Sequence, residues 1–268
     1  MQKTYKKYFA LFVLPTLIAF TLFFIVPFIM GIVLSFCKFT TVTNAHWVGI
    51  ANYVKAFSNK DFMNALLFTV KFTVVSVITI NVISFALAYG LTRGLKGTNI
   101  FRTIFFMPNL IGGIVLGYIW QLLINGVLAH FNVTITADPK YGFWGMVILT
   151  NWQLIGYMMI IYIAGIQNIP TELIEAAEID GAGAWEKFWK ITLPHMGPII
   201  LINGIYTVVT IANYSEQAIN QEISNSMFNT SMMYSLSAAM SWIYFLLVLL
   251  IMAVVGLLFW FISKKENT

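Results

Sequence analysis

Ala239 to Ser263 reads AMSWIYFLLVLLIMAVVGLLFWFIS, 25 positions without one charged side chain. About 20 apolar residues in a helix cross the roughly 30 Å hydrocarbon core of a bilayer, so this stretch predicts a membrane span. Working back toward the N-terminus, comparable blocks occur at about 197–216, 143–167, 103–124, 70–92 and 8–36. The period-two alternation of a membrane barrel is absent, and an open sheet edge cannot face lipid. The expected fold is therefore all-α: a polytopic membrane protein with six transmembrane helices, forming one transmembrane domain over residues 1–268. Pro15, Pro27 and Pro108 fall inside or at the start of these blocks. Neighbouring membrane helices re-satisfy the backbone groups that such prolines free.

Composition points the same way. Of the 268 residues, 59% are hydrophobic and 9% charged, against about 25% charged in soluble domains. So few charges cannot cover a water-facing surface. The net charge of +5 does not signal nucleic acid, because the lysines and arginines are neither clustered nor interleaved with aromatics. They divide between loops. One side holds Lys3, Lys6, Lys7, Arg93, Lys96, Arg102, Lys187, Lys190, Lys264 and Lys265; the other holds Lys38, Lys55, Lys60 and Lys140. That bias places both termini in the cytoplasm, while Lys71 can snorkel from the start of the second span.

The outer segments are then 37–69, 125–142 and 217–238. The first is expected to carry a short amphipathic helix from about Asn52 to Phe62. The third, rich in Ser, Asn, Gln and Glu, suits a water-exposed linker or a shallow re-entrant turn. Cys37 is the only cysteine, so no internal disulfide is possible. Phe36 is too bulky for the position before a lipoprotein cysteine, and the preceding apolar block is too long for a signal peptide.

The longest cytoplasmic loop, about 168–196, carries the functional information. Pro170 fits the first turn of a helix, with Glu172 and Glu175 near the positive end of its dipole. Gly181 supplies a stop, since it can take the left-handed conformation of a helix end. A second helical run from Ala184 to Thr192 is expected to be halted by Pro194. Leu173, Ala176 and Ala177 make a small-residue face, and Trp185, Phe188 and Trp189 a bulky one. Glu175 and Glu178 can pair with cations on a partner. A loop that merely reverses direction needs no such structure; two short helices meeting at a bend make a docking element.

Glu175-Ala176-Ala177, then Asp180-Gly181-Ala182 and Ile191-Thr192-Leu193-Pro194, resembles the signature loop of binding-protein-dependent ABC importer permeases. The resemblance covers most of the chain. Val48-Gly49-Ile50-Ala51-Asn52-Tyr53, Pro108 with Trp120 and Asn125-Gly126, and Ser237 to Trp242 are similar to the first permease subunit of maltose- and glycerol-phosphate-type sugar importers. The Gly-Gly-Pro turn common before the last span is missing, as is the large extracellular insert of maltose-type subunits. The resemblance implies that Glu175, Ala176, Ala177, Asp180, Gly181, Leu193 and Pro194 couple the chain to ATPases. It further implies a second permease subunit, two cytoplasmic ATPase subunits, an extracellular solute-binding protein and a location in the cytoplasmic membrane.

The chain has no Gly-x-x-x-x-Gly-Lys-Ser/Thr loop, so ATP and magnesium are expected in partner subunits and no cofactor or metal on this chain. His46, His130 and His195 lie in loops far apart in sequence, which argues against a metal site. Polar side chains within spans are candidates for the solute path, since facing lipid costs free energy. The fifth span offers Asn203, Thr207 and Thr210 at helical spacing, flanked by Tyr206 and Asn213; the fourth offers Asn151 and Gln153 beside Trp152. Amides and hydroxyls beside aromatic rings suit a sugar, and equally suit interhelical hydrogen bonding. A permease for phosphate, amino acids or peptides is the alternative function. An intramembrane enzyme would need acid, base or metal-binding groups within the spans, which the sequence does not offer.

Overall fold

In lipid, backbone N–H and C=O groups must be satisfied within the segment, and every apolar block forms helix. The computed structural model describes residues 2–94, 96–135, 137–228 and 234–266. Helix α1 (Gln2–Phe20) passes through a π turn (Thr21–Ile25) into α2 (Val26–Ser35). Two short strands, β1 (Cys37–Lys38) and β2 (His46–Trp47), pair antiparallel, Cys37 opposite Trp47. There follow α3 (Ala51–Ser58), α4 (Lys60–Leu91), α5 (Thr98–Phe106), α6 (Gly113–Ala129) and α7 (Pro139–Gln167). The remainder is α8 (Thr171–Ile179), α9 (Ala184–Lys187), α10 (Leu193–His195), α11 (Gly197–Phe228) and α12 (Tyr234–Glu266). Among the described residues, five helices are long and apolar enough to cross a bilayer, six if one bent pair counts as a span.

That bent pair revises the expected third span. Instead of one straight helix over 103–124, α5 and a 3-10 turn (Met107–Leu110) meet α6 at 102°. Pro108 opens the 3-10 turn, Ile111 is extended and Gly112 precedes α6, so the hydrogen-bond ladder is interrupted. The outer helix expected at about 52–62 is α3, ending at Ser58. Asn59 then caps α4, its Oδ1 accepting from the N–H groups of Asp61 and Phe62 at 3.0 Å each. Residues 217–228 are not a linker: they continue α11. Residues 229–233 of the same outer segment lie outside the described residues, and 234–238 open α12.

The chain divides into two compact units, residues 1–67 with 217–247 and residues 68–216 with 248–268. In the first, Asn52 is buried and donates from Nδ2 to the carbonyls of Ser35 and Cys37, both at 2.9 Å. Ser35 Oγ lies 2.7 Å from the Tyr53 hydroxyl. Phe62, Ala56 and Leu66 pack with Met240 and Ile243, and Gly31 leaves room for the Trp242 ring, 3.5 Å from an added Cβ. Within the window Phe12–Ser35 nothing apolar is buried inside this chain.

The second unit holds the larger core. Phe72, Ile80 and Ala88 of α4 pack against Val147, Leu154, Met158 and Tyr162 of α7 and Ile211 of α11. Lipid tails are as apolar as leucine, so close packing and hydrogen bonds hold such helices together rather than hydrophobic exclusion. On α4 the buried Thr73, Ser76 and Ser84 are small enough to allow close approach. Ser84 Oγ donates to the Ile155 carbonyl at 2.9 Å.

Candidate functional site

The loop between α7 and α11 folds as a helical hairpin. Pro170 is its N-cap rather than a residue of the first turn, and Glu172 occupies that turn. Gly181 closes α8 with φ of +79°. Ala182 N–H donates to the Ala177 carbonyl at 2.8 Å and Gly181 N–H to the Glu178 carbonyl at 3.1 Å, the paired bonds of a Schellman cap. The second arm departs from expectation. Pro194 does not halt it: a π turn (Phe188–Thr192) carries the chain into α10, with Leu193 N–H donating to the Phe188 carbonyl. The widened turn spares the proline ring its clash with the carbonyl four residues back.

One side of the hairpin is anchored. Ile174 and Ile191 pack on the unit's core, and Phe188 meets Phe85 at 6.0 Å and Tyr89 at 5.0 Å. The expected bulky face therefore divides: Phe188 is half-buried against Phe85 and Tyr89, while Trp185 and Trp189 stay exposed. The other side is bare: Leu173, Glu175, Ala176, Asp180 and Gly181 are exposed, and Ile179 is 88% exposed. Ala177, Leu193 and Pro194 are half-buried. Glu178 is taken by an internal ion pair with Lys187 at 2.7 Å, whereas Glu175 forms no ion pair among the described residues. A free carboxylate and bare apolar side chains on a rigidly backed hairpin are suited to a partner surface.

Beneath the hairpin lies a mainly apolar cavity of about 870 Å³, walled by Phe85, Tyr89, Tyr162, Trp185, Phe188 and Trp189. Arg93 also lines it, its guanidinium 4.3 Å from the Tyr89 ring centre. Asn81, half-buried and also lining it, belongs to a polar chain: Tyr162 donates to Asn81 Oδ1 at 2.7 Å, and Asn81 Nδ2 to Thr207 Oγ1 at 3.2 Å. Sequence reasoning missed Asn81 and Tyr162. An amide in the middle of the second apolar block was the available signal.

The candidate path residues separate into two sets. Asn203 and Thr207 are fully buried; Thr207 donates to the Asn203 carbonyl at 2.6 Å, and Asn203 Nδ2 to the Met158 carbonyl at 3.4 Å. Gln153 accepts from the Tyr214 hydroxyl at 2.9 Å. Asn151 Nδ2 bonds back to the Val147 carbonyl at 2.7 Å. Asn203, Thr207 and Gln153 thus tie helices together, whereas the Asn151 bond stays within α7. Tyr206, Thr210 and Asn213 instead occupy an exposed face of α11. Tyr206 stands 5.4 Å from Tyr157, and Thr210 Oγ1 folds back onto the Tyr206 carbonyl at 2.9 Å. His130 and His195 each contact a carbonyl one turn back in their own segment, at 3.1 and 2.8 Å.

The family model described as the inner membrane component of binding-protein-dependent transport systems matches residues 80–265. Over 206 residues the chain is 37% identical to a "probable starch degradation products transport system permease protein" of Thermoanaerobacterium thermosulfurigenes, covering 74% of this chain and 70% of that one. It is 30% identical over 203 residues to the trehalose/maltose transport system permease protein of Thermococcus litoralis, covering 72% and 69%. In fold it is similar to a chain of a bacterial ABC transporter that imports the acidic polysaccharide alginate, with a TM-score of 0.78 at 21% identity, covering 98% and 99%.

Proposed function

The chain belongs to the inner membrane components of binding-protein-dependent transport systems, and on that premise we propose that it is one permease half of an ATP-driven importer for a sugar or oligosaccharide. A second permease subunit completes the pore. Two cytoplasmic ATPase subunits bind ATP and magnesium, and an extracellular binding protein delivers solute. Both termini are cytoplasmic, as the lysine and arginine bias requires.

One observation carries this reading. The Thr171–His195 hairpin is fixed to the membrane helices through Ile174, Phe188 and Ile191 while presenting Leu173, Glu175, Ala176 and Ile179 bare. A force applied to the bare side reaches α4 and α7 through packed side chains. The names of the relatives above and the exposed Tyr206–Thr210–Asn213 face support a sugar as solute, since aromatic rings and neutral polar groups suit a hydroxylated ring.

The full transporter in proteoliposomes is expected to accumulate labelled maltooligosaccharide only when ATP and the binding protein are both present. Uptake of amino acids or phosphate with no saccharide uptake would overturn the sugar assignment. Within α11 the two polar sets are expected to behave differently. Tyr206→Ala raises the half-saturating solute concentration about tenfold, roughly 1.4 kcal/mol, with thermal stability retained. Thr207→Val lowers stability by about 1 kcal/mol and leaves solute affinity alone. Unchanged transport kinetics in Tyr206→Ala would remove that face from the path.

A further inference from the structure

The outer segment between the first and second spans encloses a second cavity, of about 480 Å³, with a different chemistry. It is lined by Lys38, Asn44, His46, Asn52, Lys55 and Ser235. No aspartate or glutamate lines it, and neither lysine forms an ion pair among the described residues. Two cations and an imidazole therefore line one concave place, beside the apolar Val48, Ala51 and Leu236, with no counter-charge among the described residues.

The walls are fixed. Asn44 Oδ1 accepts from the N–H groups of Thr40 and Thr41 at 3.1 and 2.9 Å, holding the turn between β1 and β2. Buried Asn52 ties α3 to the carbonyls of Ser35 and Cys37. Ser235, in the first turn of α12, accepts from Phe39 N–H at 3.1 Å and lies 3.4 Å from the Phe39 carbonyl. The cavity is thus built where the end of α2 meets the start of α12. A group bound there bridges the ends of two membrane helices.

We propose that this cavity receives a carboxylate side chain of the extracellular solute-binding protein, so that docking clamps the joint between α2 and α12. The proposal rests on the importer reading and adds to it a docking surface. Unpaired cations supply the charge complementarity, and the bonded backbone around them fixes where the two lysine side chains start. A docking signal that reaches helix ends has a direct mechanical route into the membrane, which binding at a loop tip lacks.

The test uses the complete transporter in lipid nanodiscs and the solute-binding protein that stimulates its ATPase. Replacing Lys38 and Lys55 together with Gln is expected to weaken docking roughly tenfold and to flatten its dependence on sodium chloride. Lys55→Glu weakens it further, and an acidic-to-lysine substitution on the binding protein restores that variant. Both lysines are exposed, so assembly and basal ATPase activity stay unchanged, and saturating binding protein recovers full stimulation. Unaltered affinity and salt dependence in the double variant would overturn the proposal. Normal docking with lost affinity for a free anion or an acidic saccharide would overturn it in favour of a small-molecule site. A wild-type transporter that no binding protein stimulates would remove the importer reading, and the docking proposal with it.

Discussion

Complexes carrying Gly181→Val are expected to assemble and hydrolyse ATP, yet import solute at least tenfold more slowly. Gly181 sits at φ of +79° with nothing within 4 Å of an added Cβ, so the substitution brings no crowding. What it brings is strain, since a β-branched residue in the left-handed region costs about 1–3 kcal/mol. The hairpin relieves it by unwinding the last turn of α8 or re-aiming its bend. Either route moves Ile179 and Asp180, at the bare edge. The exposed Lys187–Glu178 pair, worth about 1 kcal/mol at most, cannot hold the turn. The buried core of α4, α7 and α11 does not include Gly181, which is why assembly is spared. Gly183→Val is the control: Gly183 has φ of −68° and open space around it, so near-normal uptake is expected. Unchanged uptake per ATP hydrolysed in Gly181→Val would sink the coupling role of the hairpin.

Gly181 was readable because a helix stop is a local event, decided by one residue's permitted φ. The helix count was readable for the same reason: hydropathy reports what each block meets on average. Hydropathy reports the lipid-crossing part of a helix and not its ends. Hence α4 begins at Lys60 rather than near 70, under a cap from Asn59, and α11 runs on to Phe228 through Gln and Glu residues that are good helix formers. Pro194 misled because its cost depends on the carbonyl four residues back, and the π turn at Phe188–Thr192 moves that carbonyl. The polar stripe of the fifth span split because Asn203 and Thr207 are buried against Met158 of α7, whereas Tyr206 and Asn213 stay exposed, Tyr206 meeting α7 only at the Tyr157 ring. Which side of a helix meets a neighbour is a property of the assembled bundle, so spacing alone could not divide them. Asn81 and Tyr162 escaped for the mirror reason: each is an unremarkable polar position until the other is placed 2.7 Å away.

Gly156→Ala is expected to have the largest effect on stability of any single-methyl addition to this chain. An added Cβ there would lie 1.8 Å from the Phe105 carbonyl oxygen, 2.3 Å from its carbon and 2.8 Å from the Phe106 nitrogen. All three are backbone atoms of α5, so no rotamer change relieves the clash. The whole segment from Thr98 to Leu110 must move away from α7. Its displacement disturbs the buried Pro108 at the 102° bend. Overpacking of a well-packed core typically costs about 1–3 kcal/mol, and contact with rigid backbone puts this case at or above about 3 kcal/mol. Detergent-solubilised Gly156→Ala complexes should therefore unfold several degrees below wild type, or fail to accumulate in the membrane. Gly165→Ala offers the internal comparison. Its Cβ would meet Ile199 Cδ1 at 2.3 Å and the Met196 Cε and Sδ atoms at 2.8 and 2.9 Å. Those are ends of flexible side chains, so about 1 kcal/mol is expected. Gly117→Ala, with nothing within 4 Å, should match wild type. Equal unfolding temperatures for the Gly156 and Gly117 variants would mean that α5 does not rest on α7 as described, and the close approach that shapes the third span would have to be abandoned.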